Sequence, residues 1–106
     1  MKALSSIAIG VLFAAAAEAK DMRFPNASET SQELISLWTG SNSICRGAHG
    51  GDVKVAAACL SRSVYGVALN ERDWCFGRKD QINADMTWHR CNGGSLRFPY
   101  FDIPDQ

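Results

Sequence analysis

The most reactive side chains in this chain are its four cysteines, Cys45, Cys59, Cys75 and Cys91. Cys75 stands between Trp74 and Phe76, with Arg72, Arg78 and Lys79 close by in sequence. Cations beside a thiol favour the nucleophilic thiolate, so a redox or nucleophilic role is the first chemistry to weigh. A redox pair takes the form C-x-x-C at a helix start. Here the cysteines stand fourteen to sixteen residues apart and no C-x-x-C occurs. An even count in an exported chain predicts two structural disulfides instead. Zinc would want close ligand pairs such as C-x2-C, so no metal site is expected.

The two histidines, His49 and His89, are the other candidates for proton transfer or ligation. His49 lies in the glycine-rich stretch Gly47-Ala48-His49-Gly50-Gly51. His89 sits between Trp88 and Arg90. For both, the structural reading, a side chain making an ordinary hydrogen bond, is favoured. A hydrolase triad needs a nucleophile, a base and an orienting acid, and no G-x-S-x-G frames a serine here. There is no C-x-x-C-H for haem, and Gly47 to Gly51 lacks the G-K-[ST] ending of a phosphate loop. No cofactor is expected.

Binding is the remaining chemistry. Trp38, Trp74 and Trp88 could line a groove with Tyr65 and Phe76, with Arg62, Arg72 or Arg90 at its rim for an anionic group. Aromatics and arginine are the types enriched where binding energy concentrates. In so small a chain Trp38 and Trp88 are expected in the core. Trp74, in a connection, is the ring expected to be exposed. Trp74, Phe76, Arg62, Arg72, His49 and His89 are therefore the candidate binding residues.

These residues must be positioned by a short chain. Residues 1–19 read as a secretory signal peptide: Lys2, an apolar run over Ala3 to Ala16, and the small-x-small site Ala17-Glu18-Ala19. The apolar run falls short of the roughly 20 residues that span a bilayer, so no stable membrane insertion is expected after its removal. The chain carries eleven basic and eleven acidic residues. Removal of Lys2 and Glu18 keeps the balance at zero, which points away from nucleic acid. Asn26-Ala27-Ser28 is a glycosylation sequon, relevant only in a eukaryote.

Residues 20–29 read as an extended arm around Pro25. Thr30 and Glu33 have capping-box spacing, and Leu34, Ile35 and Trp38 follow at helical spacing. Asp52 is a suitable N-cap for a second helix over about 53–70. Its apolar stripe is Val53, Ala57, Leu60, Val64 and Val67. A third helix is expected from about Asp80 to Cys91, with rows Ile82–Met86–His89 and Ala84–Trp88–Cys91, stopped by Gly93-Gly94. The expected fold is all-α: a three-helix domain over residues 30–92, stapled by two disulfides, with an irregular apolar tail over 93–106. That tail is either a strap over the bundle or a partner-binding segment.

Four cysteines allow three pairings, and spacing does not select one. With helices running up, down and up, Cys45 and Cys91 share one end, and the segment after the second helix climbs back to Cys59. That geometry favours Cys45–Cys91 with Cys59–Cys75. Neighbour pairing, Cys45–Cys59 with Cys75–Cys91, is the alternative.

The pattern Cys45-Arg46-Gly47, Gly51-Asp52, Ala58-Cys59, Arg62, Tyr65-Gly66, Leu69, Trp74-Cys75-Phe76-Gly77 and Trp88-His89-Arg90-Cys91 resembles small exported four-cysteine proteins of alphaproteobacteria. The resemblance covers residues 38–91 and implies a bacterial periplasmic location without supplying catalytic residues. The leading functional expectation is a periplasmic or secreted, non-catalytic module that binds another protein. It would inhibit or protect against an envelope enzyme, assist a secretion or conjugation apparatus, or act on a host. The alternatives are a small envelope enzyme or thiol-redox protein, and a carrier of a small aromatic or anionic ligand.

Overall fold

The computed structural model describes residues 22–47 and 51–100. The signal-peptide reading, His49 and the last six residues fall outside that span. The first helix, α1, runs over Ser31–Gly47. Its start is the expected capping box. The Thr30 amide donates to Glu33 Oε1 at 2.7 Å, and the Glu33 amide donates to Thr30 Oγ1 at 3.0 Å. The Thr30 amide, and after it the Thr30 side chain, hold the Glu33 carboxyl below its ordinary pKa. Leu34 and Trp38, one turn apart, are the buried residues of α1.

The second helix, α2, covers Val53–Glu71, with Asp52 accepting from the Lys54 amide as predicted. The two helices form an antiparallel hairpin. Cys45, near the end of α1, is bonded to Cys59 of α2, and Asn42 meets Arg62 one turn further on. The face of α2 that turns inward differs from the expected apolar stripe. Val53 is 82% exposed and Leu60 45%. Of the stripe Val67 is buried, at 1% exposed, and it is joined by Val55, Ala58, Gly66 and the run Ala68 to Asn70. The disulfide explains this. With the Cα atoms of Cys45 and Cys59 only 4.8 Å apart, the face carrying Cys59, with Val55 and Gly66, must meet α1. At Gly66 a β-carbon would lie 2.5 Å from the Phe98 ring, so glycine is what lets that ring lie against α2.

The expected third helix is absent, and so the all-α reading is corrected. α2 stops at Glu71, and Asp73 adopts a left-handed conformation with φ of 70°. The chain then forms strand β1, Trp74–Phe76, which pairs antiparallel with strand β2, Trp88–Arg90. Trp74 faces Arg90, Cys75 faces His89 and Phe76 faces Trp88 in this register. Only a single 3-10 turn, Asn83–Asp85, lies in the connection. Asn83, Asp85 and Thr87 are weak helix formers, whereas Trp88 and its aromatic partner across the ladder suit a strand.

The favoured cysteine pairing is corrected with it. The disulfides are Cys45–Cys59 and Cys75–Cys91, joining neighbours in sequence. The favoured alternative presupposed a third helix ending beside Cys45. In the β-ribbon, Cys91 follows β2 and lies 5.0 Å, Cα to Cα, from Cys75. Each bond therefore closes one hairpin.

The tail is a strap as far as Tyr100. Ser95 bridges to Arg78, the Leu96 amide donates to the Gly77 carbonyl at 3.0 Å, and Phe98 packs on the core. Asn70, a polar residue at the end of α2, is a buried hub. Its Nδ2 donates to the Trp74 carbonyl at 2.9 Å, and its Oδ1 accepts from the Phe98 amide at 2.7 Å. One turn-end residue thus ties helix, ribbon and strap. Glu71 does the same for the N-terminal arm and the strap. It accepts from the amides of Arg23 and Phe24 at 2.7 and 2.9 Å, and from the Tyr100 hydroxyl at 2.9 Å. Desolvation, followed by this bond to the Glu71 carboxylate, pushes the Tyr100 hydroxyl up to about 12.

Two measurements check this account. Replacing Cys75 and Cys91 together by alanine should cost about 2–5 kcal/mol, read by thermal unfolding of the oxidised protein; unchanged stability would refute a structural Cys75. A Tyr65→Phe variant leaves Tyr100 as the only tyrosine. Its alkaline absorbance titration should then have a midpoint near 12. Because the folded value is raised, the contribution of Tyr100 to stability is complete below the unfolded pKa of about 10. It is lost as pH rises through the folded value. A midpoint at the ordinary tyrosine value would remove the clasp.

Candidate functional site

The helical hairpin and the ribbon meet through aromatic rings. Trp38 lies 4.4 Å from Phe76 and 5.2 Å from Trp88, centroid to centroid, and 6.2 Å from Phe98. Phe76 and Trp88, opposite each other in the ladder, are 5.2 Å apart. These are the tilted and edge-on arrangements that aromatic quadrupoles favour. Trp38 is buried as expected, whereas Trp88 is half-buried and packs on the edge of the cluster.

On one side of this cluster the seam opens into a cavity of about 450 Å³. Trp38, Phe76 and Phe98 supply aromatic surface. Met86 and Asn83 come from the connection between the strands, and Leu96 from the strap. Asn42 and Arg46 come from the last turns of α1, Arg62 from α2 and Arg97 from the strap. The volume falls in the range of about 300–1,000 Å³ typical of small-molecule sites, and an apolar wall with a few polar groups is their usual composition.

Arg62 is the best-positioned charge. It is half-buried, and its Nη1 donates to Asn42 Oδ1 at 3.1 Å. Its Nε is buried with no hydrogen-bond partner among the described residues. Arg46 and Arg97 are exposed. The acids nearest in role are committed elsewhere: Glu33 and Asp52 cap helices and Glu71 clasps the N-terminal arm and the strap. The cavity thus joins an aromatic floor to an arginine rim.

Of the residues singled out in the sequence, Phe76 and Arg62 meet in this cavity. Trp74, Arg72 and His89 lie outside its lining. Trp74 is half-buried rather than exposed, and the Arg90 guanidinium stacks on its ring at 4.5 Å. Arg72 reaches the Ala27 carbonyl at 3.2 Å and so holds the N-terminal arm. His89 Nε2 lies 2.8 Å from Ser95 Oγ, and its Nδ1 3.1 Å from the Thr87 carbonyl. That spacing matches a serine–base pair. However, Ser95 is only 8% exposed, and its hydroxyl accepts from the Asn92 amide at 2.8 Å within a tight turn. The pair locks the turn that launches the strap. Cys75 is fully buried and bonded, so it offers no thiol.

Sequence reasoning missed Arg46, Arg97, Asn42, Met86 and Leu96. Arg46 and Arg97 each sit beside a residue that packs into the structure, Cys45 and Phe98, but nothing local marks them as sharing one rim. Among the described residues, no group of three His, Cys, Asp or Glu side chains could hold a metal ion. No helix among them is long and apolar enough to cross a membrane. No protein-family model, no curated protein and no solved structure matches this chain.

Proposed function

We propose that this protein is an exported, non-catalytic binding module of the bacterial periplasm or cell exterior, and that its working surface is the cavity between the hairpins. Two disulfides fit an oxidising compartment. The observation that carries the binding reading is the cavity itself, where three aromatic rings stand beside Arg46, Arg62 and Arg97. Of the functions considered from sequence, a carrier of a small aromatic or anionic ligand suits that geometry best. The enzyme reading draws little support, because His89 and Ser95 serve a turn and Cys75 a disulfide.

A direct test uses anilinonaphthalene sulfonate, a flat apolar anion, with the folded, oxidised protein. Saturable binding at one site per molecule is expected. Asn83 is an exposed residue of the cavity wall. Its replacement by tryptophan should abolish binding by filling the mouth. No saturable binding, or binding indifferent to Asn83→Trp, would overturn the reading.

A protein partner is the second reading, supported by Leu37, Ile44, Val53 and Leu60, which leave apolar surface exposed on the helical hairpin. Crosslinking in the intact envelope should then capture a discrete partner, and Leu60→Glu should lose it. Capture that survives Leu60→Glu would remove this face from consideration.

A further inference from the structure

The cavity's charges say more about what it takes. We infer that it selects a monoanionic carboxylate carried on a flat apolar body, with Arg62 as the anchoring group; this rests on the cavity being the working surface. The guanidinium of Arg62 is held in place by Asn42 at 3.1 Å, so it is oriented before any ligand arrives. Arginine in a fixed orientation presents a planar fork that matches a carboxylate at two points. Among the described residues Arg62 makes no ion pair, and its Nε is buried unpartnered. A partly desolvated cation with no ion-pair partner among the described residues gains more from an incoming anion than a surface arginine does.

The apolar part of the ligand follows from the rings. Trp38 and Phe76 are tilted by 42° to each other, and Phe98 stands at 65° to Trp38. They form a faceted aromatic floor suited to a flat body. Met86, unbranched and polarisable, lends the lining adaptability.

A dianion such as a phosphate monoester fits less well. Asn42 and Arg46 place the cavity at the C-terminal end of α1. A helix C-terminus carries a partial negative charge and repels anions, the opposite of the helix N-termini that bind phosphate. Arg46 in the last turn offsets that field. Arg97 and Arg46 are exposed and screened by water, so Arg62 is the one partly buried cation of the lining, and it matches one negative charge.

The test is calorimetric titration of the oxidised protein with three probes that share one ring system: 2-naphthoate, 2-naphthamide and 2-naphthyl phosphate. Naphthoate should bind about tenfold or more tightly than naphthamide, the scale of a charge-assisted contact. Naphthyl phosphate should bind no tighter than naphthoate. Arg62→Gln should erase the advantage of naphthoate over naphthamide. Arg97→Gln, at an exposed position, provides a second charge deletion and should reduce naphthoate affinity only severalfold. Equal affinities for naphthoate and naphthamide would overturn carboxylate selection and leave the cavity as a binding site. A tighter naphthyl phosphate would overturn the monoanion assignment. Failure of all three probes to bind would overturn both the inference and the reading beneath it.

Discussion

The packing of Trp38 against Phe76, Trp88 and Phe98 joins two hairpins that the disulfides leave separate. Cys45–Cys59 closes the helical hairpin, and Cys75–Cys91 closes the β-ribbon. No covalent bond other than the chain itself connects one to the other. A disulfide stabilises mainly by limiting the unfolded ensemble of the loop that it closes. Each bond therefore pre-forms a local unit, while the long-range step of folding is the docking of those units. That step falls to large rings, because a chain this short buries only a modest core. Asn70 and Glu71 reinforce the joint from the end of α2, where they gather the ribbon, the strap and the N-terminal arm.

Local chemistry was legible in the sequence, and long-range pairing was not. The capping box at Thr30 and Glu33 and the cap at Asp52 formed where their spacing placed them, since each involves atoms within three residues. Residues 80–91 were misread because strands of three residues carry too few positions to express a period of two. The helix-like spacing of Ile82, Met86 and His89 is a coincidence of a 3-10 turn followed by a strand. The disulfide pairing failed for the same reason, as it was argued from a helix that does not form. On α2 the larger apolar stripe lost to the face containing Cys59, because a bond between Cα atoms 4.8 Å apart outranks the preference of Val53 or Leu60 for burial. A small part of the candidate site followed from residue type alone: Arg62 and Phe76 were singled out as a basic rim and an aromatic wall. Arg46 and Arg97 were not, since they lie some fifty residues apart in sequence and share one rim only once the strap is laid down.

The site is a consequence of how the two halves are joined. Rings of different size, contributed by a helix, two strands and a strap, meet at tilted angles and leave the seam open on one side. Its wall is drawn from both hairpins, with Asn42, Arg46 and Arg62 on the helical side and Phe76 and Met86 on the ribbon side. A ligand that touches both sides must favour their docking over their separation, by the same mass action that links any ligand to the state it binds. The seam that joins the two hairpins is thus where binding free energy would be felt most. The question posed by a cysteine flanked by aromatics is answered in these terms. Cys75 fixes the geometry of β1, and β1 places Phe76, not Trp74, on the wall of the cavity.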